Sequence, residues 1–113
     1  MVTNLTFLNE FTRGDVSKVK KYIQMYLDMA AQKLQVIEEG MQKKDYESIK
    51  VAAHTLKSQT KYMGISVAEE TIIRIERYCG EQTQLHELPA LVEELTKIVL
   101  QSMDELKGVL PTL

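Results

Sequence analysis

Apolar residues recur every three or four positions along almost the whole chain, and no stretch sustains an alternation of two. Val16, Val19, Ile23, Tyr26, Leu27, Ala30, Leu34 and Ile37 form one such series. At about 100° per residue, that spacing puts them on one face of a helix. Three later stretches repeat the pattern. Tyr46, Ile49, Ala53, Leu56, Thr60 and Met63 share a stripe, with Ala52 at its edge. Val67, Ala68, Thr71, Ile72, Ile75 and Tyr78 make the next. The last runs through Leu91, Val92, Leu95, Ile98, Val99, Ser102, Met103, Leu106 and Leu110. With only five glycines and two prolines in 113 residues, little interrupts these helices. The chain is therefore restricted to an all-α fold.

The few breakers set the boundaries. A short first helix fits Asn4 to Thr12, with Leu5, Leu8 and Phe11 on one side, and Gly14-Asp15 ends it. The second helix spans about Val16 to Met41, and Gly40 weakens its last turn. Gln42 to Asp45 reads as a polar turn, with Asp45 as N-cap of a third helix over Tyr46 to Met63. Gly64 suits a left-handed stop, and Ser66-Val67-Ala68-Glu69 has the pattern of a capping box for the fourth helix. Gly80 is expected to close that helix after Cys79, and Glu81 to Glu87 to form a polar connection. Pro89 suits the first turn of the fifth helix and Pro111 its end. Four long amphipathic helices joined by short loops specify an up-and-down antiparallel four-helix bundle. The short N-terminal helix caps one end, and residues 1–113 form one domain.

Composition excludes several function classes. A net charge of −2 and few exposed aromatics argue against nucleic acid. No apolar run approaches a membrane span, and no signal-peptide pattern opens the chain. The single cysteine, Cys79, forms no intrachain disulfide, which fits a reducing cytoplasm; beside Ile75 it reads as a small buried residue. The two histidines and Cys79 match no metal-ligand spacing, so no intrinsic cofactor or metal is expected.

His54 departs from this otherwise structural pattern. It lies in the third helix, turned roughly 140° from the centre of the apolar stripe. Lys50, Lys57 and Ser58 stand at i−4, i+3 and i+4, where helical neighbours meet, and Lys61 is one turn further. An exposed imidazole among lysines fits an ordinary solvated face. It also fits a site that holds an anion. Neutral imidazole is a nucleophile near neutral pH because its unperturbed pKa is about 6.5.

The segment His54-Thr55-Leu56-Lys57-Ser58, preceded by Ala52-Ala53 and followed by Gly64, resembles the H-x-L-K-G motif of histidine phosphotransfer (HPt) domains of bacterial phosphorelays. The polar turn Lys43-Lys44-Asp45 and the run Ile75-Glu76 with Cys79-Gly80 extend the likeness from about Leu5 to Leu106. The resemblance implies a monomeric phosphoryl carrier rather than an enzyme. His54 would be the phosphoacceptor through Nε2, and Lys57 would offset phosphoryl charge. Ser58, where the family most often has Gly, would be the small neighbour, able to hydrogen-bond the phosphoryl oxygens or the imidazole. Its partners would be receiver domains of response regulators or of a hybrid sensor histidine kinase, and these would bring the Mg²⁺. The domain would act in the cytoplasm, alone or as part of a membrane-bound hybrid kinase, without touching the membrane itself.

Docking candidates follow from position. Lys50 and Lys61 flank the His, Val51 and Ile65 are candidates for its rim, and Met25 and Met29 lie off the main stripe of the second helix beside Tyr22. The methionines suit either an adaptable partner surface or packing on the first helix. His86 falls in a polar connection and reads as solvated. Two other readings compete. A sensor-kinase dimerisation domain usually has an acidic residue directly after the His, where this chain has Thr55, and Gly-rich phosphate loops are absent. An adaptor bundle that carries no phosphate remains the alternative, and the presence of His54 argues against it.

Overall fold

The computed structural model describes all 113 residues and contains helices without strands. The helices are α1 (Thr6–Phe11), α2 (Val16–Lys43), α3 (Tyr46–Tyr62), α4 (Glu69–Glu81) and α5 (Leu88–Val109). Helix α2 packs on α3, α3 on α4, α4 on α5, and α5 back on α2. The result is the antiparallel bundle the periodicity predicts, 43 × 21 × 20 Å in extent. Its centre holds the stripe residues of all four long helices, among them Ile23, Tyr26, Ile49, Leu56, Ile72, Ile75, Leu95 and Val99.

Local chemistry fixes the helix starts. Asp15 and Asp45 each accept a backbone N–H three residues on, from Lys18 and Ser48, and so cap α2 and α3. The Ser48 hydroxyl adds a second bond to Asp45, and these two bonds hold its carboxyl below the ordinary carboxylate range. Helix α1 begins later than Asn4 because the Asn4 side chain accepts the Thr6 N–H.

Several boundaries differ from expectation. Gly40 does not weaken α2; it is buried, and a Cβ there would stand 2.6 Å from Ile49 Cγ1. Its lack of a side chain lets α3 approach. Gly80 does not end α4 either, which runs on to Glu81 and stops at Gln82 in the left-handed conformation. The stem of Lys50 lies across Gly80, 3.3 Å from where a Cβ would be. The expected capping box is instead a 3₁₀ turn over Ser66–Ala68 without a side-chain cap. Another 3₁₀ turn, Leu85–Glu87, leads into α5, and Pro111 sits in a third over Leu110–Thr112. Val16, Val67 and Phe11, all expected inward, are exposed because each sits at a helix end, where the neighbouring helices cover it only in part.

One polar pair lies inside the bundle. The buried Ser102 hydroxyl donates to the Val99 carbonyl at 2.6 Å, so the Tyr26 hydroxyl must donate to Ser102 at 2.7 Å. Burial pushes the Tyr26 phenol up to about 12, against the opposing pull of Ser102.

The segment before α1 is tied at two points. The Glu105 carboxylate on α5 accepts the N–H groups of Val2 and Thr3 and the Thr3 hydroxyl. Burial raises its pKa, but these donors outweigh that effect and hold it down at about 2. Further on, the Asn4 N–H donates to the Met63 carbonyl at 3.0 Å. Gly64 takes φ +65° there, and a Cβ on it would lie 2.0 Å from the Asn4 oxygen. At the same end, the rings of Phe7, Phe11, Tyr22 and Tyr62 stack in one cluster.

Candidate functional site

The antiparallel pairing of α3 with α4 brings His54 beside Glu76. The buried faces of Ala52, Ala53 and Leu56 turn His54 outward, and its side chain is 66% exposed. Glu76 follows Ile75 on α4 and leans from the rim of the buried stripe, only 18% exposed. His54 Nδ1 lies 3.1 Å from Glu76 Oε2. A carboxylate only accepts, so Nδ1 carries the hydrogen. In the neutral ring, Nε2 is then the unprotonated nitrogen, on the edge away from the protein.

The second carboxylate oxygen is buried. Lys57 Nζ approaches Oε1 to 3.1 Å but lies off the direction of a hydrogen bond, so the contact is chiefly coulombic. Three side chains thus form one unit in which Glu76 orients the imidazole and Lys57 holds Glu76. Half exposed, Lys57 also lines a crevice of about 450 Å³ with Thr60, Lys61 and Gly64, roofed by Asn4 and Phe7. The ammonium is therefore within the surroundings of both the carboxylate and open solvent.

The other residues singled out by the sequence scatter around this centre. Lys50 pairs with Glu47 at 3.5 Å. Ser58 is exposed, and its hydroxyl makes no hydrogen bond to the His54 ring or to any other side chain. Val51 is exposed beside the site, and Lys61 lies in the crevice wall. Ile65 is not on the rim as expected; it is buried in the core, because the 3₁₀ turn after Gly64 folds it inward. Met29 packs half-buried against the core, whereas Met25 is half exposed in a hollow shared with Phe11 and Tyr22. His86 is exposed, far along the chain in the turn before α5. Cys79 is buried as expected; burial pushes its thiol up to about 11, with the Lys50 ammonium pulling the other way.

Sequence spacing assigns Glu76 no role, since nothing within one helix relates positions 54 and 76. The available signal is modest. Glu76 is a carboxylate set directly beside the inward residues Ile75 and Cys79, where α4 must face another helix.

Residues 21–108 match the sequence model of the Hpt domain family. This chain belongs to the Hpt domain family. Hpt domains are phosphotransfer carriers of phosphorelays rather than kinases. No curated protein sequence matches the chain. Among solved structures, the crystal structure of histidine-containing phosphotransfer protein B (HptB) from Pseudomonas aeruginosa PAO1 is similar, with a TM-score of 0.88. That match covers 99% of this chain and 96% of HptB at 14% identity, and so establishes a shared fold. No helix of this Hpt domain is long and apolar enough to cross a membrane.

Proposed function

We propose that His54 Nε2 accepts a phosphoryl group from the aspartyl phosphate of a receiver domain and passes it to the aspartate of another. The observation that carries this reading is the outward imidazole whose Nδ1–H is held by Glu76. The Nε2 lone pair attacks phosphorus, the P–O bond to the acyl oxygen breaks, and the donor aspartate leaves as a carboxylate. Nδ1 keeps its proton throughout, so the phosphorylated ring is a cation facing Glu76. Transfer onward runs the same steps in reverse.

In this reading the receiver supplies Mg²⁺ and most of the electrostatic stabilisation. This chain supplies the nucleophile, its orientation and the charge of Lys57. Lys50 and Lys61 add little each, as exposed charges do, on the order of 0.2–1 kcal/mol. Ser58 leaves room for the partner beside His54. Val51 and Met25 offer apolar docking contacts, while Met29 supports α2 from the core side. The domain then works as a monomer in the cytoplasm, free or as one part of a membrane-bound hybrid kinase.

The test is transfer of label from a pre-phosphorylated receiver to the wild-type chain and to His54→Gln. Label that is stable in base, labile in acid and absent from the variant supports the reading. No label from a broad panel of receivers would sink it and favour an adaptor that binds without carrying phosphate. Met25→Lys is expected to slow transfer with an unchanged circular dichroism spectrum. Unchanged transfer kinetics would remove Met25 from the docking surface.

A further inference from the structure

The seam between α2 and α5 is on the opposite side of the bundle from His54 and Glu76, because α2 and α5 meet across the ring from α3 and α4. It is open along much of its length. Near Met41 and Pro89, it forms a trough of about 610 Å³ floored by Leu34, Val92, Leu100 and Met103. Near Gln24 and Pro111, a second hollow of about 650 Å³ continues it and shares Ala31 and Met103 with the first. From Gln24 to Met41 the trough follows about 26 Å of helix axis. Leu100 is 54% exposed within it, and Ala31 adds almost no bulk.

Its rim is acidic. Glu38 and Glu93 border one end and Asp28 the other, with Lys107 the one basic residue lining either hollow. Glu93 is itself paired with Lys97 at 3.3 Å, on an exposed ladder outside the floor. Many of the chain's other bases lie elsewhere, at Lys18, Lys20 and Lys21 on early α2 and at Lys50, Lys57 and Lys61 on α3.

We infer that this trough docks an amphipathic helix of a partner protein, one whose apolar stripe is flanked by lysine or arginine. Its length and apolar floor suit a single helix lying in a groove. Its carboxylates select the sign of the flanking charge. A second copy of this chain fits poorly, since it would double the carboxylates along the seam and bring from each side only Lys107 and Lys97, the latter already paired with Glu93. Because the trough faces away from His54, a helix docked there leaves the imidazole open, so the partner would tether the domain without blocking transfer.

The experiment measures fluorescence anisotropy of a labelled 18-residue leucine/lysine amphipathic helix on the full chain, with a leucine/glutamate helix of the same pattern as control. The lysine helix should bind at least about tenfold more tightly, and added salt should weaken it. Leu100→Lys and, separately, Glu38→Lys alter exposed residues and keep the fold, as circular dichroism will check. Each should weaken the lysine helix about tenfold. Equal binding of the two helices, or lysine-helix binding that survives both substitutions, overturns the proposal. Sedimentation showing a dimer of the free chain that Leu100→Lys dissolves also overturns it, in favour of self-association.

Discussion

Where α3 meets α4, the polar atoms stand at the rim: His54, Glu76 and Lys57 join hands at the surface over an apolar interior. Where α2 meets α5, the arrangement is inverted. The polar pair Tyr26–Ser102 lies at the centre, and the surface above it opens into an apolar trough. A polar group in the middle has every hydrogen bond satisfied within the protein and serves to fix how two helices align. A polar group at the rim keeps one edge free for chemistry, as Nε2 of His54 does. The two seams use similar atoms, and depth decides what those atoms do.

The strongest way to break this contrast is to disturb the point where the N-terminal segment joins both sides. Gly64→Ala sets a Cβ against the Asn4 backbone in a left-handed conformation, so a loss of about 2–4 kcal/mol is expected in urea unfolding. A loss below about 1 kcal/mol would mean that the segment yields easily.

Glu76→Gln sharpens the α3–α4 side. It removes the charged acceptor of Nδ1–H, and transfer to the chain should slow by about 10–100-fold, the equivalent of a hydrogen bond to a charged group. The unfolding midpoint should hardly move. Nitrogen-15 spectra should show the His54 tautomers mixing. An unchanged rate with a fixed tautomer would show that Glu76 does not orient the ring.

Tyr26→Phe probes the opposite seam. Stability should fall by about 0.5–1.5 kcal/mol while transfer is untouched. Loss of transfer in this variant would contradict the division of labour between the seams.

Glu105 gives the pH dependence. Its folded pKa, about 2, is below the ordinary value of 4.5. Its contribution is therefore fully present above the unfolded value and lost as pH falls from there toward about 2. Glu105→Gln should flatten that acid limb in thermal melts from pH 5 to 2.

The smallest effect is expected at Gly80, and its sign is positive. Gly80→Ala meets only the movable Lys50 stem, and helix propensity should raise stability by about 0.5–1 kcal/mol.

The helical periodicity made the bundle legible, since each stripe residue named for α3 is buried or half-buried in the structure. His54 and Lys57 were legible as well, because both lie on one helix where spacing determines position. What escaped was whatever depends on two elements at once. Gly40 and Gly80 look like helix breakers in one dimension; α3 crossing α2 shows why Gly40 is small, while Gly80 lies inside α4 under only the Lys50 stem. Ile65 looks like a rim residue until the turn after Gly64 folds it inward. Glu76 gains its meaning from α3, twenty-two positions away.

The bond network between Val2, Thr3 and Glu105 also has a temporal meaning. It joins residues 103 positions apart, whereas the α2–α3 and α3–α4 contacts are between chain neighbours. Closing so long a loop is entropically costly until the helices have already brought its ends together. The strap is therefore expected to be the final latch to shut during folding and the first to lift. Hydrogen exchange at the Val2 and Thr3 amides should report that lifting in a protein whose central helices stay closed.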